Sequence, residues 1–209
     1  MTTAQLVRRY LWDTQTELVL CGVLTSIIGI FFAMIGDSAP LLFFSYLGSV
    51  GYMSLKTLDI QDTYMSMYNI MPIHAKIIVA AHYNYYFAYC SIFGSIFILL
   101  LLLYSALSQQ FSLSLFIGML LLTLCVTFIF GNTLFWLHYR FQKASSLFLA
   151  VIMLLFMFGG YRSAFDLLQS ITYTTSSLAI LSILSIALFM LTRLQINYSV
   201  KLFEKKDFA

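Results

Sequence analysis

From Tyr83 to Leu107 the chain reads YNYYFAYCSIFGSIFILLLLLYSAL, without one Asp, Glu, Lys or Arg. A helix needs about 20 apolar residues to cross the hydrocarbon of a bilayer, with a range near 17–25. This stretch fills that length, and the leucine run Leu99–Leu103 lies within it. It reads as a membrane-spanning helix, and the rest of the chain repeats the pattern. Of 209 residues, 61% are hydrophobic and 9% charged, against roughly 25% charged in a soluble domain. So few charges cannot clothe a water-soluble surface, and lipid must cover much of the molecule.

Working outward from this stretch, five further apolar runs appear. The expected spans are residues 18–36, 41–55, 83–107, 111–137, 146–161 and 178–194. The fold class is therefore all-α integral membrane, with six transmembrane helices in a single domain over residues 1–209. Lys and Arg near the span ends set orientation. One side receives Arg8, Arg9, Lys56, Lys76, Arg140, Lys143, Arg193, Lys201, Lys205 and Lys206; the other receives only Arg162. That bias places both termini in the cytoplasm. On the outer face Arg162 and Asp166 stand four apart, and meet on one face if the segment is helical. With Phe165, Leu167 and Leu168 beside them, residues 162–177 form either a short helix at the outer leaflet or an irregular loop.

Catalytic machinery is not visible. The chain lacks a G-x-x-x-x-G-K-[ST] phosphate loop, a G-x-S-x-G elbow and an H-E-x-x-H zinc motif. His74 and His82 are eight residues apart, roughly 12 Å along a helix, too far to share a metal. With His138 they read as interfacial histidines facing headgroups or a partner. Cys21, Cys90 and Cys125 fall in apolar stretches without C-x-x-C spacing and read as packing residues. The span interiors carry no charge, which weighs against an ion-coupled carrier. The net charge of +3 offers no global field for nucleic acid.

Tyr83, Tyr85, Tyr86, Phe87 and Tyr89 cluster where the third span enters the bilayer. They read first as an interfacial aromatic belt, with a substrate-gripping cluster as the alternative. Small residues at Ser45, Gly48 and Gly51, and at Ala88, Ser91 and Ser95, form two ridges. Such ridges let helices approach closely, within the subunit or across a dimer.

Between the second and third expected spans lies a polar interlude, residues 57–82. Its middle reads YNIMPIHAKIIVAAHY over residues 68–83. Pro72 can open a helix, because its missing N–H costs nothing in the first turn. Ile73, Ile77 and Ala80 or Ala81 then recur at helical spacing, with Lys76 on another face. The expectation is a short amphipathic helix on the cytoplasmic surface, either packed on the membrane or docking a cytoplasmic partner.

This segment resembles the "LPISRKxIVLAKY" stretch of ABC-2-type transporter permeases, in the branch with short six-span subunits. The match is Met71-Pro72-Ile73, then Lys76-Ile77-Ile78-Val79-Ala80, then Tyr83. His74 and Ala75 stand where Ser-Arg is usual, and His82 where Lys is common. Residues 136–144, WLHYRFQKA, resemble the family's loop between spans four and five, without its common Gly. Residues 198–208, YSVKLFEKKDF, resemble its closing S-x-K-x-x-E-K-[KR]-D-[FL] pattern.

The resemblance implies a coupling helix that seats in an ATPase subunit through Met71, Pro72, Ile73, His74, Lys76 and Ile77. It implies two permease subunits, as homo- or heterodimer, each with a cytoplasmic ABC ATPase that binds ATP and Mg; this chain would bind no cofactor and catalyse nothing. It implies a bacterial plasma-membrane exporter of amphipathic or peptide-like compounds, similar to the exporters of phenol-soluble modulins and antimicrobial peptides. The competing expectation is a non-transporting immunity or sensor subunit that binds a partner protein. An intramembrane enzyme acting on lipid is disfavoured by the lack of paired acid, base or metal ligands.

Overall fold

A computed structural model describes residues 2–35, 39–68, 73–108, 113–141 and 175–206, and their secondary structure is entirely α-helical. The helices are α1 (Thr3–Asp13), α2 (Gln15–Ile35), α3 (Ala39–Tyr68), α4 (Ala75–Ser108), α5 (Leu113–Phe141) and α6 (Thr175–Lys206). Among the described residues, four helices are long and apolar enough to cross a membrane: Gln15–Met34, Ala75–Leu107, Phe116–Arg140 and Leu178–Glu204. α3 holds the expected second span, but Ser45, Gly48, Ser49, Gly51 and Ser54 dilute its apolar run. The expected fifth span, residues 146–161, lies outside the described residues, as do Met71, Pro72, Arg162 and Asp166.

Side-chain pairings fix how the helices run. Gly22 faces Ile96 and Gly29 faces Leu100, so α2 runs with α4. Tyr46 lies against Phe97 while Tyr89 reaches Ser54, so α3 runs against α4. His82 bonds Tyr139 and Phe87 meets Phe128, so α5 also opposes α4. Cys125 pairs with the Leu181 carbonyl and Tyr139 with Phe203, so α6 runs with α5. α4 packs against every other described helix. It is the hub of the bundle.

The packing follows from residue size. On α2, Cys21, Thr25, Gly29 and Ala33 recur every fourth residue and are buried, a small-residue seam that lets α2 lie close to α3 and α4. Thr25 bonds Ser49 across this seam. The rest of α2, from Val19 to Met34, exposes Val, Leu, Ile, Phe and Met side chains, as does α6 from Ile180 to Leu194. In water such surface would be untenable; in lipid it is the required exterior.

Two elements depart from the expectation. The short surface helix read from Pro72 to His82 is not a separate element. Its described part, from Ala75, forms the first turns of α4 and continues unbroken into the span. Burial explains this: Ile78, Val79, Ala81, His82 and Tyr83 already sit in the core, so nothing divides a surface turn from a spanning one. Likewise α3 runs on to Tyr68, turning part of the polar interlude into helix.

The second departure is α1, for which the sequence reading made no provision. Thr2 and Gln5 form a capping box: Gln5 N–H donates to Thr2 Oγ1 at 3.4 Å and Thr2 N–H to Gln5 Oε1 at 2.8 Å. Leu6 and Tyr10, one turn apart, are buried, while Arg8, Arg9 and Trp12 are exposed. The helix ends at Thr14, whose hydroxyl donates to the Tyr10 carbonyl at 2.8 Å. The signal was present in Thr2-x-x-Gln5 and the Leu6/Tyr10 spacing.

Candidate functional site: the head of α4

α4 opens at His74, whose carbonyl accepts from Ile77 N–H at 2.8 Å and Ile78 N–H at 3.4 Å. His74 and Lys76 are exposed, whereas Ile73, Ala75 and Ile77 are half-buried against the core and Ile78 and Val79 are buried. The amphipathic pattern is real, but its apolar side is already turned inward. What the head of α4 offers outward is His74 and Lys76.

Behind this head, α4 is tied to its neighbours by tyrosines. Tyr83 OH lies 3.3 Å from Ser199 Oγ on α6. Tyr85 OH lies 2.8 Å from Thr14 Oγ1, at the joint of α1 and α2. Tyr86 OH donates to the Thr127 carbonyl on α5 at 2.8 Å. Tyr89 OH lies 3.0 Å from Ser54 Oγ and 3.4 Å from Thr57 Oγ1 on α3. Each hydroxyl reaches a different part of the bundle. All four tyrosines are at most 1% exposed. A buried phenol needs a partner, and lipid supplies none, so each ring packs as an apolar body while its hydroxyl ties one specific neighbour.

The interfacial-belt reading of this cluster is therefore corrected. Four of its five members face the protein, and Phe87 is half-buried against Phe128. Spacing carried the clue. Steps of 100° spread residues 83, 85, 86, 87 and 89 over more than half of the helix circumference, wider than one lipid-facing side.

His82 is corrected in the same way. It is 1% exposed, its Nδ1 lies 2.7 Å from Tyr139 OH, and its ring sits 5.7 Å from that of Tyr10. His138 is buried too, its ring 5.5 Å from Tyr139, and only His74 of the three faces outward. Tyr10, His82, Tyr139 and Phe203 thus join α1, α4, α5 and α6 in one aromatic knot. Arg8, Arg9, Lys76, Arg140 and Lys201 lie within two turns of its members, so this end of the bundle is basic.

The three cysteines are buried and free, as packing residues. The two small-residue ridges divide. Gly51 is buried and Ser45 half-buried inside the subunit, whereas Ser91 and Ser95 are exposed. The latter line a cleft of about 430 Å³ between α4 and α5, with Gly94, Leu124 and Phe128 among its walls. Its serines donate to carbonyls of their own helix, Ser91 to Phe87 and Ser95 to Ser91, leaving a largely apolar groove.

A family model described as ABC-2 family transporter protein matches residues 6–204. The chain belongs to the ABC-2 transporter family. No curated protein and no solved structure is significantly similar to it. Members of this family are membrane transport components rather than catalysts, and membership implies an ABC ATPase as partner and lipid as surroundings. The apolar helices agree with a multi-pass membrane protein. In this ABC-2 subunit the match takes in α1 from Leu6 onward, and Leu6 and Tyr10 pack onto the head of α4.

The tyrosine ties can be weighed singly. In Tyr89→Phe, Ser54 and Thr57 keep their own bonds to Val50 and Met53 carbonyls, so no donor is stranded. The expected cost is about 0.6–1.7 kcal/mol, the range for interhelical bonds in membranes. Thermal unfolding in detergent, compared with wild type, measures it.

Proposed function

We propose that this chain is the membrane-spanning permease of an ATP-driven exporter, worked by a cytoplasmic ABC ATPase through the head of α4. The observation that carries this reading is the hub. His74 and Lys76 stand exposed at the tip of the helix that, among the described ones, touches all the others. A push there displaces a rod whose tyrosines grip α1, α3, α5 and α6 at separate points. Buried hydrogen bonds and close packing resist continuous deformation, so force at the tip moves whole helices.

On this reading the coupling set is Ile73, His74, Lys76 and Ile77 with Met71 and Pro72. His74 and Lys76 meet the ATPase, and Ile73 and Ile77 brace the tip against the core. The end with the aromatic knot faces the cytoplasm, in keeping with its basic residues. ATP and Mg belong to the partner ATPase. Two permease subunits form the pathway, six spans each, in a bacterial plasma membrane. The uncharged span interiors and the apolar cleft between α4 and α5 support an amphipathic or peptide-like cargo over an ion.

The test is a charge reversal at the tip, His74→Glu with Lys76→Glu, in the subunit co-purified with its ATPase. Both side chains are exposed, so the thermal unfolding temperature should hold. Substrate-stimulated ATP hydrolysis should fall about tenfold or more, a loss near 1.4 kcal/mol of coupling or greater. Ile73→Asp and Ile77→Asp are poorer probes, because half-buried carboxylates would also unsettle the core. Unchanged ATPase binding and hydrolysis in the double variant would refute the coupling role. A subunit that binds a partner protein but stimulates no hydrolysis would favour the immunity or sensor reading.

A further inference from the structure

We propose that Asn132 and Gln195 form a two-position polar latch between α5 and α6, whose change of partner lets these helices shift during transport. The inference rests on the transport reading for its purpose, and on geometry for its existence.

Asn132 lies on α5 within the candidate span Phe116–Arg140, and Gln195 on α6 within Leu178–Glu204. Gln195 Nε2 donates to the main-chain carbonyl of Asn132. The Asn132 side chain is only 6% exposed, yet neither its Nδ2 nor its Oδ1 has a hydrogen-bond partner. A buried amide left unpaired carries a desolvation penalty. The large majority of buried polar side chains are paired, so an unpaired one calls for an explanation.

The second state is close at hand. A primary amide both donates and accepts. Gln195 already sits against residue 132, bonded to its backbone. Turned from that carbonyl to the side chain, it can pair amide to amide, N–H to O in both directions. Two bonds then replace one, and the Asn132 carbonyl keeps its place in the α5 ladder. The exchange moves the Gln195 terminus from backbone to side-chain reach, which displaces α6 along α5.

The other flank of α5 is held firm at this level. Tyr86 OH bonds the Thr127 carbonyl, and the Tyr86 ring lies so close to Gly131 that a Cβ there would meet Cε1 at 2.4 Å. α5 is thus fastened to α4 through Tyr86 on one side and packs along α6, its most extensive neighbour, on the other, with the Asn132–Gln195 contact between them. Motion imposed at the head of α4 reaches α5 through Tyr86, and the change of amide partner is what lets α6 shift against it.

The experiment uses the permease with its ATPase in proteoliposomes. Asn132→Leu keeps the branched side-chain shape and deletes the unpaired amide. It should raise the unfolding temperature by about 2–4 °C while lowering substrate-stimulated ATP turnover about tenfold or more. Asn132→Gln, which keeps an amide, should retain most of the turnover. Gln195→Leu removes the exchange partner but leaves the Asn132 amide unpaired; it should lose turnover without gaining stability. An Asn132→Leu complex that is no more stable, or that keeps wild-type turnover, overturns the latch. So does a Gln195→Leu complex with normal turnover. A wild-type complex whose hydrolysis answers to no substrate would count against the transport reading, and the unfolding temperatures would still decide the latch.

Discussion

Gly131→Ala is expected to be among the most damaging single-methyl additions to this subunit. The new Cβ would meet Tyr86 Cε1 at 2.4 Å, Cζ at 2.9 Å and Cδ1 at 3.1 Å. The ring cannot withdraw. Tyr86 is fully buried, its hydroxyl is bonded to Thr127, and Phe87, Tyr89 and Phe135 surround it edge-on at 5.2–5.7 Å. Overpacking a filled core costs about 1–3 kcal/mol and sometimes more, and here the obstacle is a rigid ring. Gly94 is the control: nothing lies within 4 Å of a Cβ there. Gly94→Ala should be neutral or slightly stabilising, by up to about 1 kcal/mol of helix propensity. Gly29→Ala should fall between, since its obstacle is Leu100, a flexible side chain with Cδ1 at 2.3 Å. Thermal unfolding in detergent should rank the variants Gly94, Gly29, Gly131 in order of increasing loss. In a Tyr86→Ala background the added cost of Gly131→Ala should largely vanish, which would confirm the contact; equal losses at all three glycines would disprove it.

Tyr10→Ala is expected to release α1 from the head of α4. Tyr10 is 0% exposed and its ring lies 5.7 Å from those of both His82 and Tyr85. Truncating a buried aromatic to alanine costs about 3–5 kcal/mol. α1 has eleven residues, too few to persist as an isolated helix in water. Its order depends on this anchor and on Leu6. The outcome is readable by protease. Arg8 and Arg9 are exposed trypsin sites held in a docked helix, so Tyr10→Ala should be cut there many times faster than wild type. Cleavage at the wild-type rate would mean that α1 stays in place without Tyr10.

Much of the subunit was legible before any coordinates. The apolar stretch 83–107 announces a spanning helix because its length and lack of charge have no other physical use. The exposed Val, Leu and Ile side chains of α2 and α6 agree with lipid as solvent. The pattern from Ile73 to Ile77 marked a one-sided helix, and the family match over residues 6–204 agrees with the resemblance drawn from that segment.

The tyrosines were misread for a definite reason. A tyrosine is suited equally to a headgroup belt and to a buried tie, since both need an apolar ring and a satisfied hydroxyl. Composition cannot separate the two; only the location of a partner oxygen can. For Tyr83, Tyr85, Tyr86 and Tyr89 those oxygens belong to Ser199, Thr14, Thr127 and Ser54, between 35 and 116 residues away and more than 40 in three of the four cases. His82 was misplaced on the same ground, its partner Tyr139 being 57 residues distant.

The sequence by itself determined the solvent of this protein, the helical class and the family, because hydropathy, charge and motif are properties of short stretches. Only the tertiary structure decided that α4 is the hub, that the head of α4 turns its isoleucines inward and shows His74 and Lys76, and that Asn132 lies buried beside Gln195. Those depend on which helix lies against which. In a bundle whose apolar faces are satisfied by lipid as readily as by each other, that choice falls to sparse hydroxyls, amides and glycines whose partners are remote in the chain.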